Sequence, residues 1–421
     1  MRIIVSLLNQ LLRLVRYLYF KAQVRACRST IDRKKQSLRG KNEPIRVLFI
    51  LSCLAKWKTE SLYVAMTRHP KFEPIIGISF THTDFPSEIA DKTTNLESYL
   101  RIKGYNYIEL SLLNMSGGIK PDIVFYNEAS TADDFVKAFP NALFCYVCYC
   151  FATAIEKSLL NSYYQNACWL YFVENKMLID YAKSLMDNKA VNMIPTGLPM
   201  VDELTKDKSE FIDPWKEQAC PKKRIIWAPH HTIEEGGGGL HFSTFMDIAE
   251  DMLEIAERYS DIIQFAFKPH PVLRTRLNIA WGKNKTDDYY NKWATLSNTQ
   301  LEEGDYVGLF LHSDAMIHDS ASFIVEYLYT NKPCMFLVNG RDHHLNKFAK
   351  MCYDQHYLGK SKGDVIQFIT DIINDVDSRK KERLDFINEN LLMHNGETAC
   401  GNIINEILSH LSGDEHSKED I

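Results

Sequence analysis

Six side chains that can bind phosphate or move a proton lie at or just after the ends of three apolar segments. The segments are RIIWAP (224–229), IQFAFKPHP (263–271) and DAMIHD (314–319). The side chains are His230, His231, Lys268, His270, Ser320 and Ser322. An imidazole can donate to a phosphate oxygen or shuttle a proton, and ammonium and hydroxyl groups can bind the same oxygens. If the segments are parallel strands of one sheet, their carboxyl ends meet, and the residue types predict a site for a phosphorylated ligand.

The turn HDSAS (318–322) comes directly before a helical pattern. Free backbone N–H groups and the positive end of a helix favour an anion there, so we expect Ser320 and Ser322 to hold a diphosphate. The alternative is that Asp319 or Ser320 only caps the helix.

Two prolines fix the backbone on both sides of His270 in KPHP and hold its imidazole in a set direction. The alternative is a surface histidine on a rigid loop. His230 and His231 are adjacent, so they diverge on leaving their strand, and one of them is expected to point into the site.

Other motifs do not indicate further chemistry. The run GGGG (236–239) lacks the GK[ST] of a P-loop and is either a mobile cover or a surface loop. The stretch FCYVCYC (144–150) has no second ligand pair and is interpreted as a buried strand, with unpaired cysteines that fit a reducing cytosol. Asp375 and Asp377 lie away from the strand ends, so we reject them as a metal site and expect no metal.

The elements that position these residues alternate between strand and helix patterns in both halves of the 421-residue chain. Predicted strands of the first half are IRVLFIL (45–51), EPIIGIS (73–79), PDIVFYN (121–127) and LFCYVCY (143–149); CMFLV (334–338) adds a fourth to the second half. Continuous apolar strands indicate parallel sheets covered on both faces. The polar segment 201–223 is a predicted linker between doubly wound domains at 44–203 and 218–412. The final helix, GNIINEILSHL, could pack on either domain.

Residues 1–41 differ from the rest of the chain. They contain eleven Lys or Arg and one acid, which gives this segment a charge of +10. Because the net charge of the whole chain is −5, the rest of the chain carries −15. Apolar residues from Ile4 to Leu18 recur at helical spacing, while Arg13 and Arg16 interrupt any spanning segment. We expect an amphipathic helix on an anionic membrane surface, with Tyr17, Tyr19 and Phe20 near the interface and Arg25 to Lys41 adding attraction. A signal peptide and a helix packed on the protein itself are the alternatives, and the acidic body argues against nucleic acid.

The chain resembles a known family through an ordered set of motifs. These are TGLPMVD (196–202), WAPHHTI (227–233), FAFKPHP (265–271) and SDAMIHDSASFIVEYLYTNKPCMF (313–336). Together they are similar to the CDP-glycerol glycerophosphotransferases, the teichoic-acid and capsule polymerases and primases. The resemblance implies an α/β protein of GT-B fold, in which two Rossmann-like domains face a cleft and the C-terminal one binds the nucleotide donor. It implies transfer of a polyol phosphate, such as glycerol phosphate, from a CDP-activated donor to a hydroxyl of a membrane-linked glycan, teichoic-acid-like or capsule acceptor. It also implies that CMP is released and that no metal is required. We expect no cofactor, and from the basic segment 1–41 we expect a peripheral protein at the cytoplasmic face of the plasma membrane.

The resemblance also suggests roles for individual residues. The expected catalytic residues are His231 as first choice for the general base, His230 as second, and His270. The expected donor-phosphate contacts are Lys268, His270, Asp319, Ser320 and Ser322. The expected nucleotide or polyol contacts are Glu326, Pro229 and Thr232.

Two departures from the family pattern matter for these assignments. The family's DxSS motif has Ala321 in place of its first serine, and the WHGTP-type motif that supplies a base is replaced by CYCFATA (148–154). A nucleotide-sugar glycosyltransferase of the same fold and a non-catalytic glycan- or lipid-binding scaffold are therefore the alternative functions.

Overall fold

The structure is a computed structural model, and its described residues form two compact units. The described ranges are 2–79, 86–110, 118–128, 133–153, 160–233, 241–304, 306–341, 344–393 and 395–413. The first unit comprises 1–150, 156–202 and 393–421, and the second comprises 151–155 and 203–392.

The first unit is built on a parallel sheet of seven strands. The strands are β1 (Ile45–Leu51), β2 (Phe72–Ser79), β3 (Tyr107–Leu110), β4 (Ile123–Tyr126), β5 (Leu143–Val147), β6 (Leu170–Val173) and β7 (Met193–Pro195). The helices are α1 (Arg2–Arg28), α2 (Ile31–Leu38), α3 (Glu60–Arg68), α4 (Pro86–Lys103), α5 (Asp133–Ala138), α6 (Tyr163–Ala167), α7 (Lys176–Leu185), α8 (Pro199–Leu204) and the C-terminal Ala399–Ser412, with a 3-10 turn at Leu54–Lys56. The strand order is β3-β2-β1-β4-β5-β6-β7. β4 and β5 are buried along their whole length, as continuous apolar runs predict.

The second unit repeats this architecture with six parallel strands. The strands are β8 (Lys223–Ala228), β9 (Ile263–Phe267), β10 (Thr299–Leu301), β11 (Ala315–His318), β12 (Cys334–Leu337) and β13 (Tyr357–Gly359). The helices are α9 (Phe245–Arg258), α10 (Leu273–Ala280), α11 (Lys283–Thr295), α12 (Val307–His312), α13 (Phe323–Glu326), α14 (Lys347–Tyr353), α15 (Lys362–Ile373) and α16 (Lys380–Asn390), with 3-10 turns at Lys208–Glu210 and Tyr327–Thr330. The order β10-β9-β8-β11-β12-β13 places β8 between β9 and β11. The two faces of this sheet are covered by separate apolar clusters, one around Trp227 and the other around Phe310.

The C-terminal helix Ala399–Ser412, α17, belongs to the first unit. The sequence-based boundary at 218–412 placed it in the second domain. Both carboxylate oxygens of Asp202 accept hydrogen bonds from the first turn of α17, from Ala399 N at 2.8 Å and Cys400 N at 2.9 Å. A carboxylate at the N-terminus of a helix satisfies backbone donors and interacts favourably with the helix dipole, and the pattern of apolar residues alone does not reveal such a contact.

The predicted linker is also part of a unit. Residues 203–222 belong to the second unit, where Trp215 is buried and its indole N–H donates to Leu309 O at 3.2 Å. The buried side chains of Leu204 and Trp215 attach this otherwise polar segment to the core of the second unit.

The N-terminal segment forms the 27-residue helix α1 followed by α2. Leu11, Leu12, Leu14, Val15, Leu18 and Tyr19 are exposed, whereas Phe20 contacts Tyr163 and Val24 is buried. At 100° per residue the exposed apolar residues and the residues packed on the first unit lie on opposite sides of the helix. In the described part of the chain, no helix is long and apolar enough to cross a membrane.

Several expected membrane-facing groups point elsewhere. Phe20 packs on the first unit rather than lying at an interface, because it meets the Tyr163 ring edge-on at 6.3 Å. The cations Arg28, Lys34 and Arg39 donate to backbone carbonyls of the first unit, and Lys41 pairs with Asp122. These four side chains stabilise the first unit. Of the cations between Arg25 and Lys41, only those that remain exposed are available to attract an anionic membrane.

The two motifs rejected as metal sites have structural partners. Asp377 pairs with the fully buried Arg383, and Asp375 pairs with Lys223 at the surface. Cys145 is buried within β5, but the strand ends at Val147, so Cys148 and Cys150 follow the strand, with their sulfur atoms 3.8 Å apart. The buried-strand interpretation of FCYVCYC therefore holds only as far as Val147.

Candidate active site

The ends of β8, β9 and β11 lie side by side at the carboxyl edge of the second sheet. β8 pairs in parallel with β9 on one side and with β11 on the other. Hydrogen bonding between the first two continues past the strands, since Lys268 N donates to Trp227 O at 2.8 Å and His270 N to Pro229 O at 3.1 Å. The predicted convergence of three strand ends is confirmed.

His230, His231 and His270 form a compact group, here called the histidine cluster. The rings of His231 and His270 are stacked, with centroids 4.0 Å apart and planes 15° apart. His230 lies with its ring centroid 4.3 Å from that of His231 and 5.3 Å from that of His270. The adjacent histidines His230 and His231 therefore contact the same neighbour instead of diverging.

Hydrogen bonds set which ring nitrogens carry protons. Thr232 Oγ1 accepts from Phe242 N at 3.0 Å and Ser243 N at 3.3 Å, so its own proton is directed to His230 Nδ1 at 2.9 Å. His270 Nδ1 accepts from Val272 N at 3.2 Å. Because each Nδ1 accepts a hydrogen bond, both imidazoles carry a proton on Nε2, from which they can donate to an anion.

Burial lowers the pKa of both stacked imidazoles. The pKa of His231 is lowered to about 4, mainly by burial and also by the positive charge of Arg276. The pKa of His270 is lowered to about 3, mainly by burial and also by His231, Arg276 and Lys268. His231 and His270 are therefore neutral near pH 7 while they lie beside fixed positive charge, and a ligand anion would relieve that repulsion.

The lowered pKa values predict a particular pH dependence of stability. In the unfolded chain these histidines bind protons below about pH 6.5, whereas in the folded protein they do so only near pH 3 to 4. Their contribution to the free energy of unfolding is therefore complete above pH 6.5 and is lost as the pH falls. Burial raises the pKa of Asp319 to about 7, which acts in the opposite direction. We therefore expect the fall in the free energy of unfolding between pH 7 and pH 5, measured by urea titration, to be smaller in a His231→Gln, His270→Gln double variant than in the wild type. An equal fall in both proteins would contradict the assigned neutral state.

Asp319 joins the end of β11 to the histidine cluster. It is 1% exposed, and its carboxylate accepts from His230 N, from Thr244 N and from Thr244 Oγ1, the last at 2.9 Å. The carboxylate therefore fixes the histidine loop and the residue before α9. It neither caps the helix after its own turn nor faces open solvent, so its role is to position the loop.

The two serines of the HDSAS turn differ in environment. Ser320 is buried and its backbone N and O both lie 3.2 Å from His318 Nδ1, whereas Ser322 is half-buried at the N-terminus of α13 without a side-chain capping bond. The helix expected through FIVEYLYT is a four-residue α-helix followed by a 3-10 turn. The helix dipole at this turn is correspondingly small, because few peptide units are aligned.

Lys268 and Glu326 are held by protein groups. The Lys268 ammonium donates to Gly304 O at 2.8 Å and lies 5.5 Å from the centre of the Tyr306 ring. Glu326, expected to face the nucleotide or polyol, is 2% exposed and accepts from the Tyr306 hydroxyl. Tyr306 contacts both side chains, so Lys268 and Glu326 belong to one buried network. Such partners offset the cost of removing a charge from water.

Three groups at this edge were not predicted from the sequence. Arg276 on α10 acts electrostatically on both stacked histidines. Beyond β12, Asn339 Nδ2 donates to His241 O at 2.6 Å, and an Arg341 guanidinium nitrogen lies 3.3 Å from His241 Nδ1. Arg276 follows His270 by six residues in KPHPVLRTR, and this spacing alone does not show which way its side chain points.

The first unit has its own polar group at the carboxyl edge of its sheet, where ligands of doubly wound folds bind. The buried Glu128, after β4, accepts from the Ser52 hydroxyl and pairs with Lys56. These residues lie in LSCLAK and YNEAS, which carry no recognisable motif.

Comparison with solved structures identifies the class of fold. A variant of the wall teichoic acid polymerase TagF aligns with a TM-score of 0.59 and 12% identity over 97% of this chain and 98% of that chain. A putative UDP-N-acetylglucosamine 2-epimerase from Listeria monocytogenes gives 0.52 and 16%, covering 90% and 99%. MnaA from S. aureus with UDP gives 0.52 and 16%, covering 89% and 99%. At these identities the likeness shows the fold, and the two Rossmann-like units are those of a GT-B protein.

Residues 151–409 match the family described as CDP-glycerol:poly(glycerophosphate) glycerophosphotransferase. This match covers more than half of the chain, and the chain belongs to that family. It is an enzyme that transfers a polyol phosphate from a CDP-activated donor, as the resemblance predicted. A search of curated protein sequences gives no match.

Proposed function

We propose that the second unit binds the CDP-activated donor and that the histidine cluster, with Arg276, contacts its diphosphate. The observation that carries this assignment is the stacking of two neutral imidazoles at 4.0 Å beside a guanidinium at the end of adjacent strands. Protonated imidazoles stack poorly because like charges repel, whereas a diphosphate between Arg276 and the Nε2–H groups provides the missing negative charge. In this assignment Ser322 adds a hydroxyl from the third strand end.

The reaction is a direct displacement at the distal phosphorus. The acceptor hydroxyl oxygen forms a bond to phosphorus, the bond from phosphorus to the CMP oxygen breaks, and CMP leaves with the bonding electrons. The hydroxyl proton passes to a base, for which we propose His231, because its lowered pKa of about 4 leaves the imidazole unprotonated near pH 7. A weak base is sufficient because phosphoryl transfer depends mainly on positioning and charge stabilisation. The donor is a substrate, and no cofactor enters a step.

A product assay tests this function against its alternatives. Purified protein is incubated with CDP-glycerol and a lipid-linked glycan acceptor, and products are resolved by phosphorus NMR. We expect CMP and a new phosphodiester. Nucleoside diphosphate release from a nucleotide sugar, with a glycosidic product, would favour the glycosyltransferase alternative, and no turnover of any nucleotide donor despite binding would favour the scaffold.

We further propose that α1 binds an anionic membrane surface as a peripheral contact on the cytoplasmic side. Four exposed apolar side chains, Leu11, Val15, Leu18 and Tyr19, cover the side of the helix that faces away from the first unit. Exposed cations at Arg16, Lys21 and Arg25 flank them. Apolar insertion combined with a few basic residues is the usual requirement for interfacial binding, and it would hold the enzyme beside a membrane-linked acceptor.

Charge placed on this apolar side is expected to abolish membrane binding. A Leu11→Glu, Leu18→Glu variant should remain in solution when sedimented with phosphatidylglycerol-containing vesicles, while the wild type sediments with them and not with phosphatidylcholine alone. The matched control is Ile279→Glu, since Ile279 is 75% exposed on α10 of the second unit. Equal sedimentation of the wild type and the Leu11, Leu18 variant would exclude α1 as the contact.

A further inference from the structure

A second histidine group, unrelated to the phosphate contacts, lies within the core of the second unit. His318 ends β11, Cys334 begins β12, and His356 precedes β13, three strands that are neighbours in the sheet. The three residues are 0%, 1% and 2% exposed. Their ligand atoms all lie within 4.8 Å of one another.

The three side chains project from the same face of the sheet. Met316 pairs with Cys334, and His318 pairs with Phe336, so His318 and Cys334 lie one diagonal step apart. Tyr357 pairs with Met335 and points to the other face, which places the preceding His356 on the face of Cys334. Short parallel strands have thus brought together three residues that are distant in sequence.

Hydrogen bonds leave an unused nitrogen on each imidazole. His356 Nδ1 lies 3.0 Å from Cys352 O, and because a carbonyl only accepts, Nδ1 carries the proton and Nε2 presents a lone pair. His318 Nδ1 lies 3.2 Å from both the backbone O and the backbone N of Ser320, and in the tautomer that donates to Ser320 O its Nε2 also presents a lone pair. Neither Nε2 atom has a hydrogen-bond partner among the described residues. A buried nitrogen that has a lone pair but no hydrogen-bond donor costs folding free energy. In metal-binding histidines the other ring nitrogen usually donates to a backbone carbonyl or a carboxylate, as it does here.

Ring geometry separates this group from the histidine cluster. Two imidazoles bound to one tetrahedral ion at about 2.0–2.1 Å have centroids roughly 5 Å apart and radiate from the ion. His318 and His356 lie 5.3 Å apart with planes at 62°. The stacked pair His231 and His270, at 4.0 Å and 15°, is too close and too parallel to share an ion. The buried group therefore fits a metal, and the histidine cluster fits an anion.

We propose that His318, Cys334 and His356 bind a structural Zn²⁺ ion. Imidazole nitrogen and thiolate sulfur are the ligands that zinc prefers, and three protein ligands leave a fourth position for water. On binding, the Cys334 thiol loses its proton to solvent, and the thiolate offsets one of the two positive charges of the ion. The ion fastens three adjacent strands, and through His318 it fixes Ser320 in the turn that follows β11.

Metal analysis of the intact chain tests the site. Protein is purified in the presence of zinc without a metal-affinity tag, and its metal content is measured by plasma mass spectrometry over all transition elements. We expect equimolar zinc, lost in Cys334→Ser and retained in Cys352→Ser, a matched control because Cys352 is also buried but lies outside the group. A chelator should lower the melting temperature of the wild type and of the control, but not that of Cys334→Ser.

If Cys334→Ser does not fold, the absorption spectrum of the cobalt-substituted protein tests the site instead. Cobalt exchanged into the wild type should give the near-ultraviolet charge-transfer band of a cobalt–thiolate bond, and His356→Asn should weaken or abolish it. Wild-type protein that binds neither zinc nor cobalt under reducing conditions would overturn the proposal, as would unchanged metal content in both Cys334→Ser and His356→Asn. Neither result depends on enzyme activity, so the proposed reaction could stand while the metal site fails.

Discussion

Replacement of His270 by alanine is expected to lower kcat/KM for transfer from CDP-glycerol by roughly 30- to 1000-fold, about 2–4 kcal/mol of transition-state stabilisation. The imidazole donates from Nε2 because its Nδ1 accepts from Val272 N at 3.2 Å. Removal of one preorganised donor aimed at developing phosphate charge has this size of effect. Steady-state rates at several donor concentrations measure it.

His69→Ala is a matched control for that variant. His69 Nδ1 accepts from Lys71 N, also two residues ahead and also at 3.2 Å, but it lies in the first unit. The two substitutions therefore remove the same local hydrogen bond. An unchanged kcat/KM in His270→Ala, or an equal loss in both variants, would remove His270 from the donor site.

Asp319→Ala is expected to destabilise the protein by roughly 2–5 kcal/mol and to reduce transfer at temperatures where the variant is folded. The substitution leaves His230 N, Thr244 N and the Thr244 hydroxyl without their acceptor in a buried place, at about 1–3 kcal/mol for each donor left unsatisfied. The histidine loop loses its attachment to β11, so catalysis falls with stability. Urea denaturation and initial rates measure the two effects.

Asp364→Ala is a matched control, because the Asp364 carboxylate accepts from two backbone N–H groups and one hydroxyl, as Asp319 does, but is exposed to solvent. It accepts from Lys360 N, Ser361 N and Ser361 Oγ at 2.8, 3.0 and 2.9 Å, but it is exposed at the start of α15. Water can replace it, so Asp364→Ala should cost about 0.5–2 kcal/mol, typical of a lost N-cap, and leave transfer unchanged. A cost for Asp319→Ala no greater than that for Asp364→Ala would contradict the role of Asp319 in positioning the loop.

The sequence predicts most of the strands inside the two sheets and misses the strands at the sheet edges. β1 coincides with IRVLFIL, β9 and β11 lie within the predicted segments, and β8 begins one residue before its segment, because continuous apolar runs are required where both faces of a sheet are covered. β3, β10 and β13 have three or four residues and lie at sheet edges, where a continuous apolar run is not needed. Their sequences YIEL, TQL and YLG contain too little pattern to be recognised.

The candidate site was predictable in its position and less so in its contacts. Strand ends followed by histidines located the cluster, since parallel strands must end at one edge. The buried positions of Asp319 and Glu326 were not predictable, because a carboxylate that accepts from backbone N–H groups or a distant tyrosine has the same sequence context as one that faces a ligand. Arg276 was missed for a similar reason, as its effect depends on the direction of α10.

Calorimetric titration of CDP-glycerol at pH 7, in two buffers of different ionisation enthalpy, tests the donor assignment most directly. We expect binding that is tighter than that of CMP, with net proton uptake, because the imidazole of His270, which is neutral in the empty site, gains a proton beside a diphosphate, whereas His231 stays unprotonated as the base. Uptake should decrease in the His231→Gln, His270→Gln variant. Binding of a nucleotide sugar in preference to CDP-glycerol, or CDP-glycerol affinity and proton uptake unchanged by the double substitution, would contradict the placement of the donor diphosphate at the histidine cluster.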